Sequence, residues 1–442
     1  MKHGLRYWQG GALRHQNGVS IRLKSVIIGL ILVCGCDRNS ISVESQYSVR
    51  DSAGVELVVT GGPARPSSFL SYHERLRITE GSEGTDPEPL FRVGFVRVDE
   101  YGRIYVVDAS NRIRVFDEGG RFVRALGGPG EGPGEFRSII EVLVRADTVA
   151  VNDLQLGRVT RFSVVSGNML DVQTTRSENR LLLLYALLPG GWLGRVHERK
   201  PPRSGLARDT MLLRRFRSTI AGNGSAKRWE AQEGRTVLVP TQWIHYMKSG
   251  SWKWGPLWTP VPSFGVDAAG NLYVSHGVHY EVQVYDPELK PTKRIVSAHA
   301  PVPITADLID RYAEAIRRQD PKGPALPVEQ PQDASESSKL SRTRIPHGEA
   351  IPALGRVLVG PDGALWIERP DLADDPVALE SSGFDARTYW DILDPTHRYV
   401  GTVALPSHFS GHAVKGLSVY GVGVDQDNVE SVVVYSVKLS QN

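Results

Sequence analysis

Three separate segments of the chain share one nine-residue pattern, in which a glycine at the fifth position divides two short apolar runs. They are residues 98–106 (VDEYGRIYV), 266–274 (VDAAGNLYV) and 359–367 (VGPDGALWI). Glycine tolerates the positive φ of a tight hairpin turn. The β-branched and aromatic residues that follow it favour a strand. The pattern therefore predicts three copies of one β-hairpin.

Each hairpin is followed by a third strand and a turn, and then by a fourth strand such as residues 122–126. The third strands are residues 113–117 (IRVFD), 282–286 (VQVYD) and 392–394 (ILD). Four antiparallel strands in about 40 residues form one blade of a β-propeller. Weaker copies of the pattern cover residues 141–162, 182–216 and 412–439.

The count predicts an all-β, six-bladed propeller spanning residues 47–439. The last blade lacks a fourth strand, and we expect residues 56–60, within the N-terminal stretch 47–60, to supply it. Such closure removes the exposed strand edges that invite aggregation. The blades are predicted at residues 90–127, 136–175, 182–220, 261–297, 351–405 and 410–439.

Residues 98–136 resemble an NHL repeat, whose pattern has G-x-GPGEF, then VD-x-x-G-x-IYV-x-D, then a strand ending in FD-x-x-G. The match is good for residues 264–297 and partial elsewhere, and the chain is similar to NHL-repeat-like six-bladed β-propeller lipoproteins of bacteria. The resemblance implies the fold but no single activity. NHL-type propellers include protein-binding and RNA-binding modules, an amidating lyase and neighbouring calcium-dependent lactonases.

The glycine-rich stretch 127–136 (GGPGEGPGEF) invites comparison with a phosphate-binding loop. A Walker loop requires Lys and Ser or Thr after its last glycine, where this chain has Glu135 and Phe136. The stretch lies between the last strand of one predicted blade and the first strand of the next. We therefore interpret it as a joint between blades.

The N-terminus carries a short apolar run, residues 26–33 (VIIGLILV), with basic residues before it. Eight apolar residues are too few to span a bilayer and are typical of a signal peptide, the alternative being a buried core strand. The VCGC that ends the run resembles the lipobox of bacterial lipoproteins, which implies cleavage after Gly35 and lipidation of Cys36. This predicts a signal peptide at 1–35, a tether at 36–46 and a lipid-anchored, extracytoplasmic protein of the bacterial cell envelope, on its periplasmic face or outer surface.

Processing would change the charge of the chain. Residues 1–35 carry five basic residues and no acidic one, so their removal changes the formal net charge from +3 to −2. A balance of this kind does not call for nucleic acid as a partner.

The long insertions are predicted to lie on one face of the propeller. The loops between second and third strands and the connections between blades share this face. Residues 223–262, 298–350 and 369–388 all fall in these classes. The first of them is rich in tryptophan, and aromatic side chains are typical of recognition surfaces. We expect ligand-binding residues on this face: Trp243, His245, Tyr246, Trp252, Trp254, Trp258, His276 and His279. The alternatives are rings that cap the small core of their own loop, or rings that touch a membrane surface.

A helix is predicted within residues 298–350, capped by Thr305 and ending before Pro321. Its apolar stripe of Leu308, Ile309, Tyr312 and Ile316 is expected to dock on the propeller rather than to stay free for a partner. Residues 320–345, rich in Pro, Ser and charge, are expected to be mobile and able to close over the channel mouth.

No nucleophile elbow, zinc-protease helix or phosphate loop occurs in the sequence. A calcium site is one alternative, because lactonase-like propellers bind calcium with Asn, Asp and Glu, and four such residues fall at second-to-third loops: Asp108, Asn111, Asn152 and Asp153. The same residues could instead cap turns.

The favoured hypothesis is therefore a monomeric, membrane-anchored binding propeller without a cofactor. It would hold membrane lipid through its acylated N-terminus and recognise an unidentified protein, peptide or glycan. The alternatives are a calcium-dependent lactonase or lyase-like enzyme, and a scaffold in an envelope assembly.

Overall fold

The computed structural model describes residues 47–79, 90–177, 180–198, 205–220, 227–246, 252–253, 257–299, 301–319, 347–373 and 387–439. The predicted signal peptide, Cys36 and the tether lie outside these ranges. Among the described residues, none of the helices has both the length and the apolar character needed to cross a bilayer.

The chain begins with the hairpin of β1 (Ser48–Ser52) and β2 (Val55–Val59), followed by β3 (Tyr72–Ile78). Blade one has the strands β4 (Val93–Val98), β5 (Ile104–Asp108), β6 (Ile113–Phe116) and β7 (Phe122–Leu126). After the short strands β8 (Gly128–Pro129) and β9 (Glu135–Phe136), blade two has β10 (Ile139–Arg145), β11 (Thr148–Asp153), β12 (Arg158–Ser163) and β13 (Met169–Thr174).

Blade three is the largest. It contains β14 (Arg176–Ser177), β15 (Arg180–Leu188), β16 (Gly191–Glu198), β17 (Gly205–Ile220), β18 (Lys227–Ala231), β19 (Val237–Tyr246) and β20 (Trp252–Lys253). Blade four has β21 (Ser263–Val266), β22 (Leu272–Ser275), β23 (Glu281–Tyr285) and β24 (Pro291–Val296).

The helical insertion follows blade four, with β25 (Val302–Pro303), α1 (Ala306–Gln319) and β26 (Ala350–Ile351). Blade five has β27 (Val357–Val359), β28 (Leu365–Glu368), the 3₁₀ turn Pro370–Leu372, β29 (Thr388–Leu393) and β30 (Tyr399–Leu405). Blade six has β31 (Phe409–Lys415), β32 (Ser418–Val424) and β33 (Glu430–Val437). The prediction of an all-β, six-bladed propeller with a single helix is confirmed for the described residues.

In two of the three copies of the repeated hairpin, one aspartate holds the turn. In blade one, Asp99 Oδ1 accepts the backbone N–H groups of Tyr101 and Arg103, both at 2.9 Å, while Oδ2 accepts the hydroxyl of Tyr105 at 3.0 Å. In blade four, Asp267 is bonded in the same way by Asn271 and Tyr273. The aspartate thus satisfies turn donors that the ladder leaves unpaired.

An N-terminal strand closes the ring, but the strand predicted for this role was wrong. β3 pairs antiparallel with β33, from Tyr72↔Val437 to Ile78↔Val432, and is the fourth strand of blade six. The predicted segment instead forms β2, which runs parallel to β24 and widens blade four. β2 (VELVV) is the more apolar of the two segments, whereas β3 (YHERLRI) carries four polar or charged residues. Ile78, at the end of β3, nevertheless packs between blades six and one with Val96 and Phe116.

Blade three extends beyond its predicted end, because β17 has sixteen residues and holds two partners along one edge. Residues 205–213 of β17 pair with β19, and residues 216–220 pair with β18. Residues 227–246, expected in the loop between blades, therefore belong to this blade. Pro240, which pairs with Thr210 beside a register shift, concealed the strand because proline is found in strands mainly at edges and bulges.

The stretch 127–136 is a joint between blades. Phe136 is fully buried and packs against Phe162 of blade two, with ring centroids 6.2 Å apart. Gly127 has φ 69°, and a Cβ at this position would lie 2.2 Å from Phe136 Cε2. Arg158 donates to the carbonyls of Glu131 and Gly132, at 2.9 and 2.6 Å. The glycine and proline residues thus fold the chain around a buried anchor.

The helix α1 forms as predicted. Leu308 N–H donates to Thr305 Oγ1 at 3.3 Å, and Leu308 and Tyr312 are buried. They pack against Trp258 and Ile351, and the rings of Trp258 and Tyr312 meet edge to face with centroids 5.5 Å apart. The helix is therefore docked on two connecting segments, the one that leads into blade four and the one that leads from blade four to blade five. The predicted mobile segment 320–345 lies outside the described residues.

Candidate functional site: a cavity in the central channel

A cavity of about 400 Å³ lies where the first strands of all six blades meet. Its walls are contributed by β4, β10, β15, β21, β27 and β31. Small-molecule sites in proteins commonly have volumes of roughly 300–1,000 Å³. The cavity is thus large enough for a small ligand enclosed by the whole ring.

The cavity lies toward one end of the channel. Its lining includes Asp99, Glu100, Ala146, Ala268 and Pro361, all in turns between first and second strands. These short turns form the face opposite to the one that carries the insertions. The channel pocket and the predicted recognition face are therefore at different ends of the propeller.

The inner strands present backbone groups to the channel. In the part of the chain that the structure describes, five of the six first strands pair with one other strand only, and β15 has an additional two-residue partner. Edge N–H and C=O groups need other partners. Val96 N–H donates to His412 Nδ1 at 3.1 Å, and Val96 O accepts from Arg97 Nη1 at 3.0 Å. Charged and polar side chains thus complete the hydrogen bonding of the inner edges.

Arg97, Glu141 and His412, which we call the channel polar cluster, come from three different blades. Arg97 donates from both Nε and Nη2 to Glu141 Oε1, at 3.1 and 2.7 Å. The guanidinium also lies over the ring of Phe95, 4.9 Å from its centroid. The side chains of Arg97 and Glu141 are 31% and 22% exposed, so the pair can be reached by solvent in the cavity.

His412 is neutral at pH 7. Burial, followed by the positive charges of Arg97 and Arg356, lowers the pKa of His412 to about 4. Its Nδ1 accepts the Val96 N–H, so the ring proton of the neutral form is carried by Nε2. The residue is therefore a hydrogen-bond donor on the cavity wall.

Aromatic and aliphatic side chains form the rest of the wall. Tyr185 of blade three meets Phe264 of blade four edge to face, with centroids 5.1 Å apart. Burial raises the pKa of Tyr185, while contact with Arg195 opposes the shift. Leu187 and Leu358, both half-buried, complete a surface suited to an apolar ligand body.

The predicted tryptophan surface is divided among different elements. Trp243, His245 and Tyr246 lie in β19, paired with β17, and Trp252 lies in β20. Trp254 lies outside the described residues. Trp258 is 2% exposed and belongs to the small core beneath α1. The predicted loop is largely strand, and for Trp258 the alternative of a ring capping a local core holds. The ligand-binding role of the other predicted residues of this segment stays a prediction.

His276 and His279 lie in the loop between β22 and β23, on the insertion-bearing face, where His276 is half-buried and His279 is exposed. Neither contributes to the channel cavity. Their role in ligand binding stays a prediction.

The four candidate calcium ligands each support local structure. Asp108 forms a buried ion pair with Arg114 and accepts the backbone N–H groups of Phe91 and Ser110, at 3.1 and 3.0 Å. Asn111 follows in the left-handed conformation, with φ 54°. This is the turn-capping alternative.

Blade two repeats the arrangement. Asp153 accepts the N–H groups of Arg137 and Leu156, at 2.7 and 2.8 Å, and Asn152 Nδ2 donates to Leu184 O at 3.0 Å. Within the described ranges, no group of three or more His, Cys, Asp or Glu side chains is placed to hold a metal ion.

Sequence reasoning missed the channel polar cluster because it matches no motif. One signal was available: Arg97, Glu141 and His412 are polar residues in the interior of mainly apolar first strands, VGFVRV, IIEVLVR and FSGHAVK. A charge in an inner strand must find a partner in the channel or in the neighbouring blade.

The fold and the channel define a six-bladed β-propeller with a small-molecule-sized pocket on its axis. Residues 83–181 match a family model, DUF5128, described as 6-bladed beta-propeller. The sequence resemblance to six-bladed propellers is thereby confirmed. The search of curated proteins found no match.

Solved structures to which the chain is similar include a member of the duf4221 family from Bacteroides vulgatus, with 10% identity, a TM-score of 0.43 and coverage of 84% of this chain and 99% of that one. Virginiamycin B lyase from Staphylococcus aureus, in complex with quinupristin, has 8% identity, a TM-score of 0.36 and coverage of 83% and 100%.

Proposed function

We propose that the protein is a lipid-anchored, extracytoplasmic binding propeller of the bacterial cell envelope that takes a small ligand into its central channel. The observation that carries this proposal is the channel polar cluster, which offers donors and acceptors in a cavity walled by all six blades. Pockets of this volume that combine apolar walls with a few convergent polar groups are typical ligand sites.

The anchor is supported by the sequence alone. A basic and apolar leader ends in VCGC, and acyl chains on a cysteine contribute about 0.8 kcal/mol per buried methylene, so that more than one chain gives stable attachment. The channel would then be held at the membrane surface while its ligand diffuses to it.

The ligand site can be tested by narrowing the cavity mouth. Ala268 lines the cavity, whereas Ala269, next to it in the same turn, is exposed and does not. The mature chain, residues 36–442, is incubated with small-molecule extracts of bacterial envelopes, and bound compounds are identified by native mass spectrometry. We expect Ala268→Trp to abolish capture and Ala269→Trp to retain it.

Capture that survives in Ala268→Trp but is lost in His279→Ala would place the site on the insertion-bearing face instead. Failure of the wild-type chain to hold any small molecule would overturn the proposal. The anchor is tested separately, by labelling expressing cells with a palmitate analogue: the label should be lost in Cys36→Ser and kept in Cys34→Ser, and persistence in Cys36→Ser would refute lipidation at that residue.

A further inference from the structure

We infer that the channel cavity recognises a small organic acid with one carboxylate and an apolar body, and that Glu141 is an internal carboxylate which the ligand displaces from Arg97. This inference rests on the proposed function, because it specifies the chemistry of the same cavity.

A carboxylate, that of Glu141, already binds the guanidinium of Arg97. Both donors, Nε and Nη2, converge on a single oxygen, Glu141 Oε1, which also accepts the N–H of Val142 at 3.1 Å. Arginine binds a carboxylate best when two parallel N–H groups meet two oxygens. A ligand carboxylate can adopt that two-oxygen geometry, which Glu141 does not, so exchange improves the hydrogen bonding of Arg97.

A hydrogen-bond donor lies beside this pair. His412 lines the cavity and accepts the Val96 N–H at Nδ1, so its Nε2 carries the ring proton that a ligand carboxylate can accept. The charged groups around it are Arg97 and Arg356, each bonded to a glutamate, Glu141 and Glu368 respectively. When Glu141 leaves Arg97, the guanidinium loses its carboxylate partner, which the ligand carboxylate replaces.

The remainder of the ligand would contact the other walls and the mouth of the cavity. The walls beyond the cluster are apolar, with Phe264 and Leu187 among them, and they favour a hydrocarbon body. The mouth carries three acids, Asp99, Glu100 and Asp267, and one cation, Arg145. Asp99 is paired with Arg103, and Asp267 accepts from Asn271 and Tyr273, so the mouth has no excess of positive charge that would hold a second carboxylate of the ligand. A monocarboxylate fits both ends of the cavity.

The test uses three probes with one skeleton and different head groups: 3-phenylpropionate, 3-phenylpropionamide and 3-phenylpropylamine. Binding to the mature chain is measured by titration calorimetry. We expect the acid to bind at least about tenfold more tightly than the amide and the amine, as loss of a charge-assisted hydrogen bond implies.

Two substitutions give opposite signs. Arg97→Gln should weaken binding of the acid by about tenfold or more, while Glu141→Gln should strengthen it, because the competing internal carboxylate is removed. The matched control is Arg161→Gln, because Arg161 is also 31% exposed and paired with a carboxylate, that of Asp171, on strands outside the cavity. This control should bind like the wild type, and circular dichroism confirms that each variant is folded.

The outcomes separate this inference from the proposed function. Tighter binding of the amine, with loss in Glu141→Gln, would mean that Glu141 recognises a cation and would overturn the inference. Equal binding of all three probes would show an apolar cavity only, which overturns the inference and leaves the ligand site standing. If no probe binds and Ala268→Trp captures the same compounds as the wild type, both fail.

Discussion

The buried side chain of Arg369 ties the N-terminal segment to the ring, and replacing it is the strictest test of that link. Its guanidinium, with a side chain 0% exposed, donates to Asp371 twice at 2.8 Å, to Asp391 Oδ2 at 2.9 Å and to Ala64 O at 2.8 Å. Asp391 is also fully buried and accepts the hydroxyl of Tyr280 at 3.0 Å. The arginine thus links blade five with the chain that leads to the closing strand β3.

Replacement of Arg369 by Met should destabilise the fold by about 3–5 kcal/mol, because it leaves a buried carboxylate without its cation. Replacing both partners, in Arg369→Met/Asp391→Leu, should destabilise it less than the single change, since no isolated charge remains. Urea unfolding followed by tryptophan fluorescence gives the free energy of unfolding for each variant.

The control for this prediction is Arg318→Met. Arg318 pairs with Glu314 on the exposed surface of α1, with side chains 74% and 61% exposed, so its loss should cost about 0.5 kcal/mol or less. A loss below about 1 kcal/mol in Arg369→Met, or a double variant that is less stable than the single one, would refute the assignment of a charge-paired structural anchor.

Three further perturbations test the closure, the joint and the pH dependence. A chain beginning at residue 61 lacks β1 and β2 but keeps β3, and it should stay monomeric and folded. A chain beginning at residue 80 exposes the edge of β33 and should aggregate, as measured by size-exclusion chromatography. The reverse result would favour closure of the ring by residues 56–60. Phe136→Ala should lower the free energy of unfolding by about 3–5 kcal/mol in chemical denaturation, and a loss under about 1 kcal/mol would contradict its role as anchor of the joint. Burial, then Lys293, lowers the pKa of His397 to about 4, from 6.5, so the unfolded chain binds the proton first. The contribution of His397 to stability should therefore fall, by at most about 3 kcal/mol, as the pH drops from 6.5 to 4. His397→Gln should make this part of the stability curve shallower, and an unchanged slope would count against the assignment.

The fold was predictable because its information is local and repeated. Asp99 and Gly102 specify a hairpin within nine residues, and the same pattern recurs in blade four with Asp267 and Gly270. The choice between the two N-terminal strands was not local. It depends on which of them pairs with β33, a strand more than 300 positions further along the chain.

The site was less predictable for a related reason. Arg97, Glu141 and His412 are far apart in sequence and meet only because the ring places all first strands on one axis. The tryptophan-rich segment was predicted as the site instead, but the ring of Trp258 packs against α1 in a small core. Residue type alone does not distinguish a ring that packs beneath a helix from one that receives a ligand.

The central claim is that the ligand is held in the channel by Arg97 and His412. The most direct measurement is a crystal structure of the mature chain with 3-phenylpropionate. The account predicts a carboxylate within hydrogen-bonding distance of the Arg97 guanidinium and His412 Nε2, with Glu141 turned away and the phenyl ring between Phe264 and Leu187. A probe bound beside His276 and His279 on the opposite face, with the Arg97–Glu141 pair intact, would contradict it.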